Sequence, residues 1–418
     1  MKSEDDKKPQ IITFGCRLNR YESEVIGRHA EPLNNVVVVN TCAVTAEAER
    51  QAKQAIRRLH RNNPNLRIVV TGCAAQLDPE KWSSLEGVQQ VLGNEDKLEA
   101  KNWTESSLAS GNQVSDIMAV RISAAQLVTD FTGRTRAFVQ IQQGCDHRCT
   151  FCIIPFGRGP SRSVSIAGVV QQAQALVEKG YKEIVLTGVD IASWGKDLSD
   201  QPVLGHLCRD VLKQVPNLER LRLSSIDPIG VDPILWDLLA SEHRLMPHLH
   251  LSVQAGCDMI LKRMKRRHLT SDVQKVVDQL RKIRPDIGLS ADIIAGFPTE
   301  DDRLFKETFT FLEQQAFPYL HVFPYSERKG TPAAKMPAVP VEVRRERAAQ
   351  LRKLGKQAAE HYHQSLVGKS IRLLMENPEG GHSEQFAMTR LQGQAEPGEI
   401  VLARVVHGNA DEIIAERI

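Results

Sequence analysis

The chain has no long apolar run and no apolar leader. No stretch approaches the ~18 consecutive apolar residues that a membrane-spanning helix needs. The first eight residues, Met-Lys-Ser-Glu-Asp-Asp-Lys-Lys, lack the apolar segment of a secretory signal peptide. We therefore expect a cytoplasmic protein that has no membrane partner.

Cysteine is scarce as well, and neither sign of charge dominates. Eight cysteines among 418 residues are too few for a disulfide scaffold, and cytosolic thiols stay reduced, so these cysteines are free to bind metal. The 54 basic residues nearly balance the 51 acidic ones. The net charge alone therefore predicts no polyanionic partner, and local clusters of Lys and Arg must be sought. Single cores stop growing near ~250–300 residues, so we expect more than one domain.

Three of the cysteines stand close together. Cys145, Cys149 and Cys152 lie in the run Gln-Gln-Gly-Cys-Asp-His-Arg-Cys-Thr-Phe-Cys, and this spacing lets one loop hold three irons of a cubane. A [4Fe-4S] cluster that only carries electrons takes four Cys ligands, and the next cysteine is Cys208. One iron is therefore left open for a small molecule. The alternative is a structural zinc site, but such a site normally needs four ligands in two pairs.

Three other cysteines are dispersed but similarly placed. Cys16, Cys42 and Cys73 each follow a β-branched apolar run of strand length, and a predicted helix follows each cysteine. Such a βαβαβα pattern builds a parallel sheet whose strands place their carboxyl ends at one edge, so the three thiols should converge there. The alternative is three buried thiols that act as small hydrophobes. The predicted helices span residues 21–30, 46–62 and 79–85.

A second series of strands and helices follows. Six βα units predict a partial version of the (β/α)₈ barrel, here a (β/α)₆ barrel, whose active site lies at the carboxyl ends of the strands. Cys145 directly follows the first of these strands, so the compact cysteines belong at that end of the barrel. The predicted strands are 137–143, 183–188, 219–224, 248–253, 287–295 and 319–323, separated by helices such as 165–179 and 300–315.

Short strand candidates near the end of the chain, at 370–376, 384–390, 399–407 and 412–418, predict a small antiparallel β-barrel. The predicted fold class is therefore α/β with a second, all-β part. We expect a small N-terminal parallel α/β domain at 1–102, a connector at 103–135, the (β/α)₆ barrel at 136–340, a linking helix at 341–366 and the antiparallel barrel at 367–418.

These motifs resemble the radical S-adenosylmethionine (SAM) methylthiotransferases over nearly the whole chain. CxxxCxxC with an aromatic residue, Phe151, before its last cysteine is the signature of radical SAM enzymes, and the second, dispersed trio is similar to that of the methylthiotransferases. Three strings look most like the branch that acts on N6-threonylcarbamoyladenosine in tRNA. They are Gly-Cys-Arg-Leu-Asn-Arg-Tyr-Glu-Ser-Glu from Gly15, Asn-Thr-Cys-Ala-Val-Thr from Asn40, and residues 144–163.

The resemblance implies two [4Fe-4S] clusters, SAM as cofactor, and sulfur insertion into an unreactive C–H bond, which needs a cofactor. The cluster on Cys145, Cys149 and Cys152 would turn SAM into a radical that attacks carbon 2 of the modified adenine next to the anticodon. The cluster on the dispersed trio would hold the sulfur, which a second SAM methylates. It also implies a tRNA substrate, an electron donor, no DNA partner, and a TRAM RNA-binding domain at 367–418.

Three alternatives remain. Within the family, the substrate could be isopentenyladenosine in tRNA or an aspartate of a ribosomal protein. From a different class, the chain could be an RNA-binding protein whose metal clusters are only structural, although each trio lacks a fourth Cys ligand. No catalytic residue is assigned beyond the cluster cysteines.

Polar groups at strand ends are candidates for holding SAM, an assignment that leans on the family. Phe151 would lie near adenine, Gly188 would admit the methionyl end, and Asp190 would accept hydrogen bonds from the ribose or amine. Turn residues without ligand contact are the alternative, because Gly, Asp and Ser favour turns. Further candidates are Ser225 and Gln254, together with Arg162, which with Arg158 could clamp a carboxylate or phosphate or form only a surface ion pair.

A dense basic segment is the preferred contact for RNA phosphates. Such contacts position the RNA without specifying its sequence. Basic residues at 53–61 and 344–353 are equally well interpreted as solvated helix faces, and Cys208 and Cys257 are expected to be core thiols. The predicted RNA-binding residues are Lys262, Arg263, Lys265, Arg266 and Arg267.

Overall fold

The computed structural model describes residues 9–122, 128, 131 and 133–418. The first eight residues and part of the predicted connector, 123–127, 129–130 and 132, lie outside the described residues. Within the described part of the chain, no helix is both long enough and apolar enough to span a bilayer.

The N-terminal part is a parallel sheet of four strands in the order β1-β2-β3-β4. β2, with the run Val-Val-Val-Val-Asn-Thr, is buried along its whole length, as expected for a parallel strand covered on both faces. The predicted βαβαβα pattern is confirmed, and β4 adds a fourth strand that the sequence analysis missed. The elements are β1 (Gln10–Thr13), α1 (Arg17–Ala30), β2 (Val36–Thr41), α2 (Ala46–Asn62), β3 (Arg67–Gly72), α3 (Cys73–Leu77), α4 (Pro79–Ser83) and β4 (Val88–Val91).

The described part of the connector packs onto this sheet. It contains the short helix α5 (Glu105–Ala109). The Trp103 ring is buried against the sheet core, and Gln113 forms a parallel bridge with Leu92. The connector therefore extends the N-terminal unit.

Six parallel strands then form the predicted partial barrel. They lie in two three-stranded sheets, β5-β8-β9 and β10-β11-β12, which isolated bridges from Leu221 to Leu245 and from Ile226 to Leu251 join. The strands are β5 (Arg136–Gln140), β8 (Glu183–Thr187), β9 (Arg220–Leu223), β10 (His248–Gln254), β11 (Gly288–Ala295) and β12 (Tyr319–Pro324), with a short antiparallel pair of β6 (Gln142–Gln143) and β7 (Arg162–Ser163). The helices are α6 (Ile154–Arg158), α7 (Ile166–Glu178), α8 (Leu204–Gln214), α9 (Pro233–Ser241), α10 (Asp258–Arg263), α11 (Thr270–Ile283) and α12 (Asp302–Gln315).

After the long helix α13 (Val341–Ser365) comes a closed five-stranded barrel. All its strand pairs are antiparallel except β15 with β17, which is parallel. The sequence analysis missed β14, whose two leading glycines carry no side-chain alternation, and it placed a strand at 384–390 where the chain turns before Met388. The strands are β13 (Ser370–Asn377), β14 (Gly380–Ser383), β15 (Met388–Gln392), β16 (Ile400–Gly408) and β17 (Ile413–Arg417).

This terminal barrel docks under the amino ends of the six parallel strands. Buried Glu183 pairs with Arg222 at 2.8 Å and with Arg220 at 3.4 Å. Arg222 also donates to the carbonyl of Glu384 at 3.1 Å, and Arg220 donates to that of Arg372 at 2.6 Å. These contacts fix the terminal barrel to the barrel that carries the compact cysteines.

Candidate active site

The loop of the compact trio leaves β6 and is held from two sides. The Cys145 N–H donates to the carbonyl of Gly159, and the Thr150 N–H donates to that of Met264, both at 3.0 Å. Gly144 has a φ of +71°, and a Cβ there would lie 1.9 Å from the Pro160 oxygen, so only glycine fits this close approach. Because Met264 belongs to the predicted basic segment, this segment supports the cysteine loop through its backbone.

The three thiols of this loop lie near one another and near charged groups. Burial, then the Asp190 carboxylate and the other two thiols, raises the pKa of Cys145 to about 12. Arg266 Nη1 lies 3.7 Å from Cys149 Sγ. His147 Nε2, in the same loop, lies 2.9 Å from Asp190 Oδ2. A guanidinium thus lies beside one thiol of the loop, and Asp190 holds the imidazole of the same loop.

The dispersed trio converges at the carboxyl edge of the N-terminal sheet. Cys16 follows β1, Cys42 follows β2, and Cys73 begins α3 directly after β3. Burial and the neighbouring Cys73 and Cys16 thiols raise the pKa of Cys42 to about 12, so the three groups are close in space. Gly15 has a φ of +93°, and a Cβ there would lie 2.6 Å from Cys42 Sγ. The glycine leaves room for the sulfur.

Both trios have the donor chemistry that an iron–sulfur cluster requires, because each brings together three free cysteines. In the described ranges, no three metal-ligating side chains are arranged as for a single bound metal ion. Cys208 is a core thiol with no exposed surface. Cys257 Sγ lies 2.9 Å from Glu307 Oε2 and apart from both trios.

A buried polar network ties α6, which follows the compact trio in the chain, to the dispersed trio. Arg158, at the end of α6, donates from Nε to Cys73 Sγ at 3.0 Å. Its terminal nitrogens contact Glu22 and Asn19 of α1, and Lys97 Nζ lies 2.7 Å from Glu22 Oε2. Glu22, Lys97 and Arg158 are at most 1% exposed. The sequence allowed Arg158 to be a ligand clamp or part of a surface ion pair. It is neither, because its carboxylate partner, Glu22, is buried inside the protein.

Four of the six SAM candidates line two adjoining cavities. Phe151 and Gln254 line one of about 240 Å³, and Gly188 and Ser225 line another of about 520 Å³. Both cavities share Asp292 and Phe323, so they meet inside the barrel. The Phe151 ring packs edge-on against Phe297, with centroids 6.4 Å apart.

The other two SAM candidates have internal partners. The Asp190 carboxylate lies beside His147 and accepts a hydrogen bond from the Ser193 hydroxyl at 2.7 Å. Burial opposes ionisation of Asp190, but these two partners outweigh burial and lower its pKa. Arg162 is buried and donates from Nη1 to the carbonyls of Arg158 and Pro160. Both side chains therefore shape the cysteine loop, and a contact of either one with SAM stays a prediction.

The five predicted RNA contacts divide into two kinds. Lys262 and Lys265 are exposed, and Arg267 is 38% exposed. Arg263 donates to the Thr299 carbonyl at 3.0 Å, and Arg266 turns inward to Asp227 at 2.9 Å. Arg266 is therefore a neighbour of the cysteine loop, and its contact with RNA phosphate stays a prediction.

The sequence analysis missed the buried partners in both networks. Glu22 pairs with both Lys97 and Arg158, and Asp227 holds Arg266. Glu22 lies within one of the strings that carried the family resemblance, but its spacing to Arg158 carries no signal of contact. Such pairs become visible only when the chain is folded.

Comparison with known proteins agrees with this arrangement. Residues 139–312 match the model of the Radical SAM superfamily, and residues 8–93 match Uncharacterized protein family UPF0004. The fold is similar to that of a radical S-adenosylmethionine methyltransferase, TsrM, from Kitasatospora setae, with a TM-score of 0.54 and 16% identity over 76% of this chain and 69% of that one.

Curated relatives cover almost the whole chain. A threonylcarbamoyladenosine tRNA methylthiotransferase MtaB from Rickettsia prowazekii is 48% identical, over 96% of this chain and 95% of its own. The enzyme of that name from Bacillus subtilis is 37% identical, over 87% and 84%. A tRNA-2-methylthio-N(6)-dimethylallyladenosine synthase from Ehrlichia canis is 32% identical, over 90% and 89%. With two cysteine trios in a fold of this kind and relatives this similar, the chain belongs to the radical SAM methylthiotransferase family.

Proposed function

We propose that this protein adds a methylthio group to carbon 2 of N6-threonylcarbamoyladenosine, next to the anticodon of tRNA. The relative named for threonylcarbamoyladenosine is 48% identical to this chain, against 32% for the relative named for dimethylallyladenosine. This difference favours the first nucleoside over the second. No comparison favours a ribosomal protein as substrate.

One observation carries the proposal: the two cysteine trios are neighbours, because burial and then the Cys149 and Cys73 thiols raise the pKa of Cys152 to about 11. Arg158 follows the compact trio in the chain and donates to Cys73 of the dispersed trio. Sulfur insertion needs a group that activates the C–H bond and a group that delivers sulfur, both close to one carbon. A purely structural role for two clusters does not require them to be neighbours.

The residues that would hold the cofactors follow from this placement. Cys145, Cys149 and Cys152 would hold one [4Fe-4S] cluster and Cys16, Cys42 and Cys73 a second one. When bound, these groups and SAM supply the radical that activates the C–H bond and the sulfur that replaces its hydrogen. Phe151, Gln254, Gly188 and Ser225 line the cavities in which SAM and the base would lie.

The chain's own residues orient and enclose this chemistry. The His147–Asp190 pair and the Gly159 carbonyl fix the compact loop, and the Glu22–Arg158–Lys97 network fixes the dispersed trio relative to it. The strands around the cavity keep water from a reactive radical. These groups position the reactants, and the structure assigns none of them an acid–base step.

The tRNA would approach over the exposed Lys262 and Lys265, with the five-stranded barrel as a further RNA contact. A base must leave its stack to enter the cavity, as enzymes that act on bases generally require. An electron donor would also be needed, because the chemistry that a cluster on Cys145, Cys149 and Cys152 would supply to SAM is reductive.

The decisive experiment is nucleoside analysis of tRNA from a strain that lacks the gene. We expect the methylthio form of threonylcarbamoyladenosine to disappear and the unmodified nucleoside to accumulate. The wild-type gene should restore it, and the Cys149→Ala variant should not. Loss of the methylthio form of isopentenyladenosine instead would contradict the proposal and support the alternative nucleoside.

A further inference from the structure

The interior of the six-stranded barrel contains a cavity of about 520 Å³. It reaches from Cys16 and Gly188 at the carboxyl ends of the strands to Phe386 of the terminal barrel at the other end. Every one of the six strands, or the residue that follows it, contributes to its wall. The polar side chains in this wall include Arg17, Arg136, Ser224, His250 and Asp292.

The charge in this cavity is predominantly positive. Asp292 is the one carboxylate among its lining residues, and its Oδ1 already lies 3.0 Å from His250 Nε2. Arg136 pairs with Glu376 at 2.8 Å. Among the residues that the structure describes, no carboxylate lies within ion-pair distance of Arg17. Two further arginines, Arg20 and Arg134, are exposed at the rim.

Arg17 is partly buried, and its guanidinium lies 5.7 Å from the centre of the Phe386 ring. A desolvated cation without a counter-ion is costly. An anion that enters the cavity would relieve this cost.

A second observation also indicates a ligand. Ser224 is 4% exposed, and its buried hydroxyl has no hydrogen-bond partner among the described residues. The residue lines the same cavity. Buried hydroxyl groups normally have a partner, so a polar ligand that bears an anionic group would satisfy Ser224 and Arg17 together.

We propose that Arg17, supported by Arg136, binds the carboxylate of the threonylcarbamoyl group of the substrate base. This inference rests on the proposed function. On adenine, carbon 2 and the N6 substituent flank N1 on the same edge of the ring. A base that presents carbon 2 to the cluster at Cys16 therefore places its N6 substituent in this cavity.

The same contact gives a reason for substrate choice. Arginine binds a carboxylate through two parallel hydrogen bonds, and an isopentenyl group has no charge to offer. A site built for a polar group rejects an analogue that lacks it, because its own buried groups are left unpaired. Arg17 would therefore allow the enzyme to discriminate between threonylcarbamoyladenosine and isopentenyladenosine as substrates.

The test uses reconstituted holoenzyme and three synthetic anticodon stem-loops. They carry threonylcarbamoyladenosine, the same nucleoside with its carboxylate converted to the primary amide, or isopentenyladenosine. We would measure kcat and KM for methylthiolation in the wild type, Arg17→Gln, Arg17→Lys and Arg28→Gln. Arg28 is an exposed residue of the same helix and serves as the matched control.

We expect the wild type to prefer the acid over the amide by about 10- to 100-fold in kcat/KM, the usual worth of a hydrogen bond to a charged group. Arg17→Gln should reduce this ratio towards unity, chiefly through KM. Arg17→Lys should restore part of it, and Arg28→Gln should leave it unchanged. Iron content, measured on every variant, checks that the neighbouring Cys16 still holds its cluster.

Two results would overturn the inference. One is a wild-type enzyme that modifies acid and amide equally well, and the other is an acid-to-amide ratio that survives in Arg17→Gln with its iron intact. If Arg17→Gln loses iron, the acid-to-amide ratio in kcat/KM is compared between the wild type, Arg17→Lys and Arg136→Gln instead. An unchanged ratio in both variants would then overturn the inference. A wild type that modifies only the isopentenyl stem-loop would instead overturn the proposed function, and this inference with it.

Discussion

Arg158 Nε lies 3.0 Å from Cys73 Sγ, although Arg158 ends α6, next to the compact trio in the chain, and Cys73 begins α3, directly after the third strand of the N-terminal sheet. The same guanidinium contacts both carboxylate oxygens of Glu22. Because neither charged group has an exposed fraction above 1%, the pair cannot rearrange into solvent without opening the domain interface. A single side chain thus links α6 to both α1 and the Cys73 thiol.

The first prediction is that Arg158→Ala uncouples the trios. Removing Arg158 leaves buried acceptors on Asn19, Gln143 and Glu22 without their donor, although Lys97 still pairs with Glu22. We therefore expect a loss of about 3–5 kcal/mol in the free energy of unfolding. The free energy of unfolding of Arg158→Lys should lie between those of the wild type and Arg158→Ala, because an ammonium cannot reproduce the planar set of donors. Denaturant unfolding would measure this, with the exposed Arg345→Ala as the control. An Arg158→Ala protein as stable as the control would contradict the assignment.

The second prediction concerns the number of clusters. Anaerobically reconstituted protein should contain about eight irons per chain, and replacing Cys16, Cys42 and Cys73 together by Ala should halve this. Cys208→Ala is the matched control, because Cys208 is buried away from both trios and should not affect iron content. Zinc as the bound metal, or unchanged iron in the triple variant, would refute the two-cluster interpretation.

Much of the fold could be predicted from local patterns. The β-branched run at Val36–Thr41 and the helix Ala46–Asn62 follow from periodicity, and the six barrel strands were located within a few residues. Each cysteine stands directly after such a strand, so topology alone was enough to bring the dispersed trio together. β14 escaped because Gly380 and Gly381 leave no alternating pattern to recognise.

The site's polar contacts could not be predicted in this way. Glu22 lies 75 positions from Lys97 and 136 from Arg158, and no spacing rule links residues so far apart. When only the sequence is known, charged residues are also expected at the protein surface, since unpaired charged residues are almost never buried. This is why Arg266 was assigned to RNA, whereas Asp227 holds it beside Cys149.

The third prediction concerns tRNA. Lys262 and Lys265 remain exposed on the segment that supports the cysteine loop. Changing both to Gln should weaken tRNA binding and make the dependence of log K on log salt shallower by about one unit per lost phosphate contact. The effect should be alike for all tRNAs, because phosphate contacts carry no sequence information. Lys275→Gln, an exposed change on α11, is the control, and an unchanged salt slope in the double variant would exclude these lysines from the interface.

The fourth prediction concerns Glu183, which joins the two barrels through Arg220 and Arg222. Burial opposes its ionisation, but the two arginines outweigh burial and lower its pKa from 4.5 to about 2. A carboxyl group with a pKa lowered by folding stabilises the protein above its unfolded pKa, and this contribution disappears as the pH falls through the folded value. Glu183→Gln should therefore cost about 3 kcal/mol near pH 7.

The difference between wild type and Glu183→Gln should shrink as the pH falls from about 4.5 towards 2, where the wild-type carboxyl becomes protonated. Denaturant unfolding of the two proteins in parallel would measure it. Glu219→Gln provides the matched control, because Glu219 also pairs with the terminal barrel, at Arg372, but that pair is more than one-third exposed and should be worth at most about 1 kcal/mol. Equal effects of the two substitutions at neutral pH would show that burial of Glu183 between the barrels does not stabilise their contact.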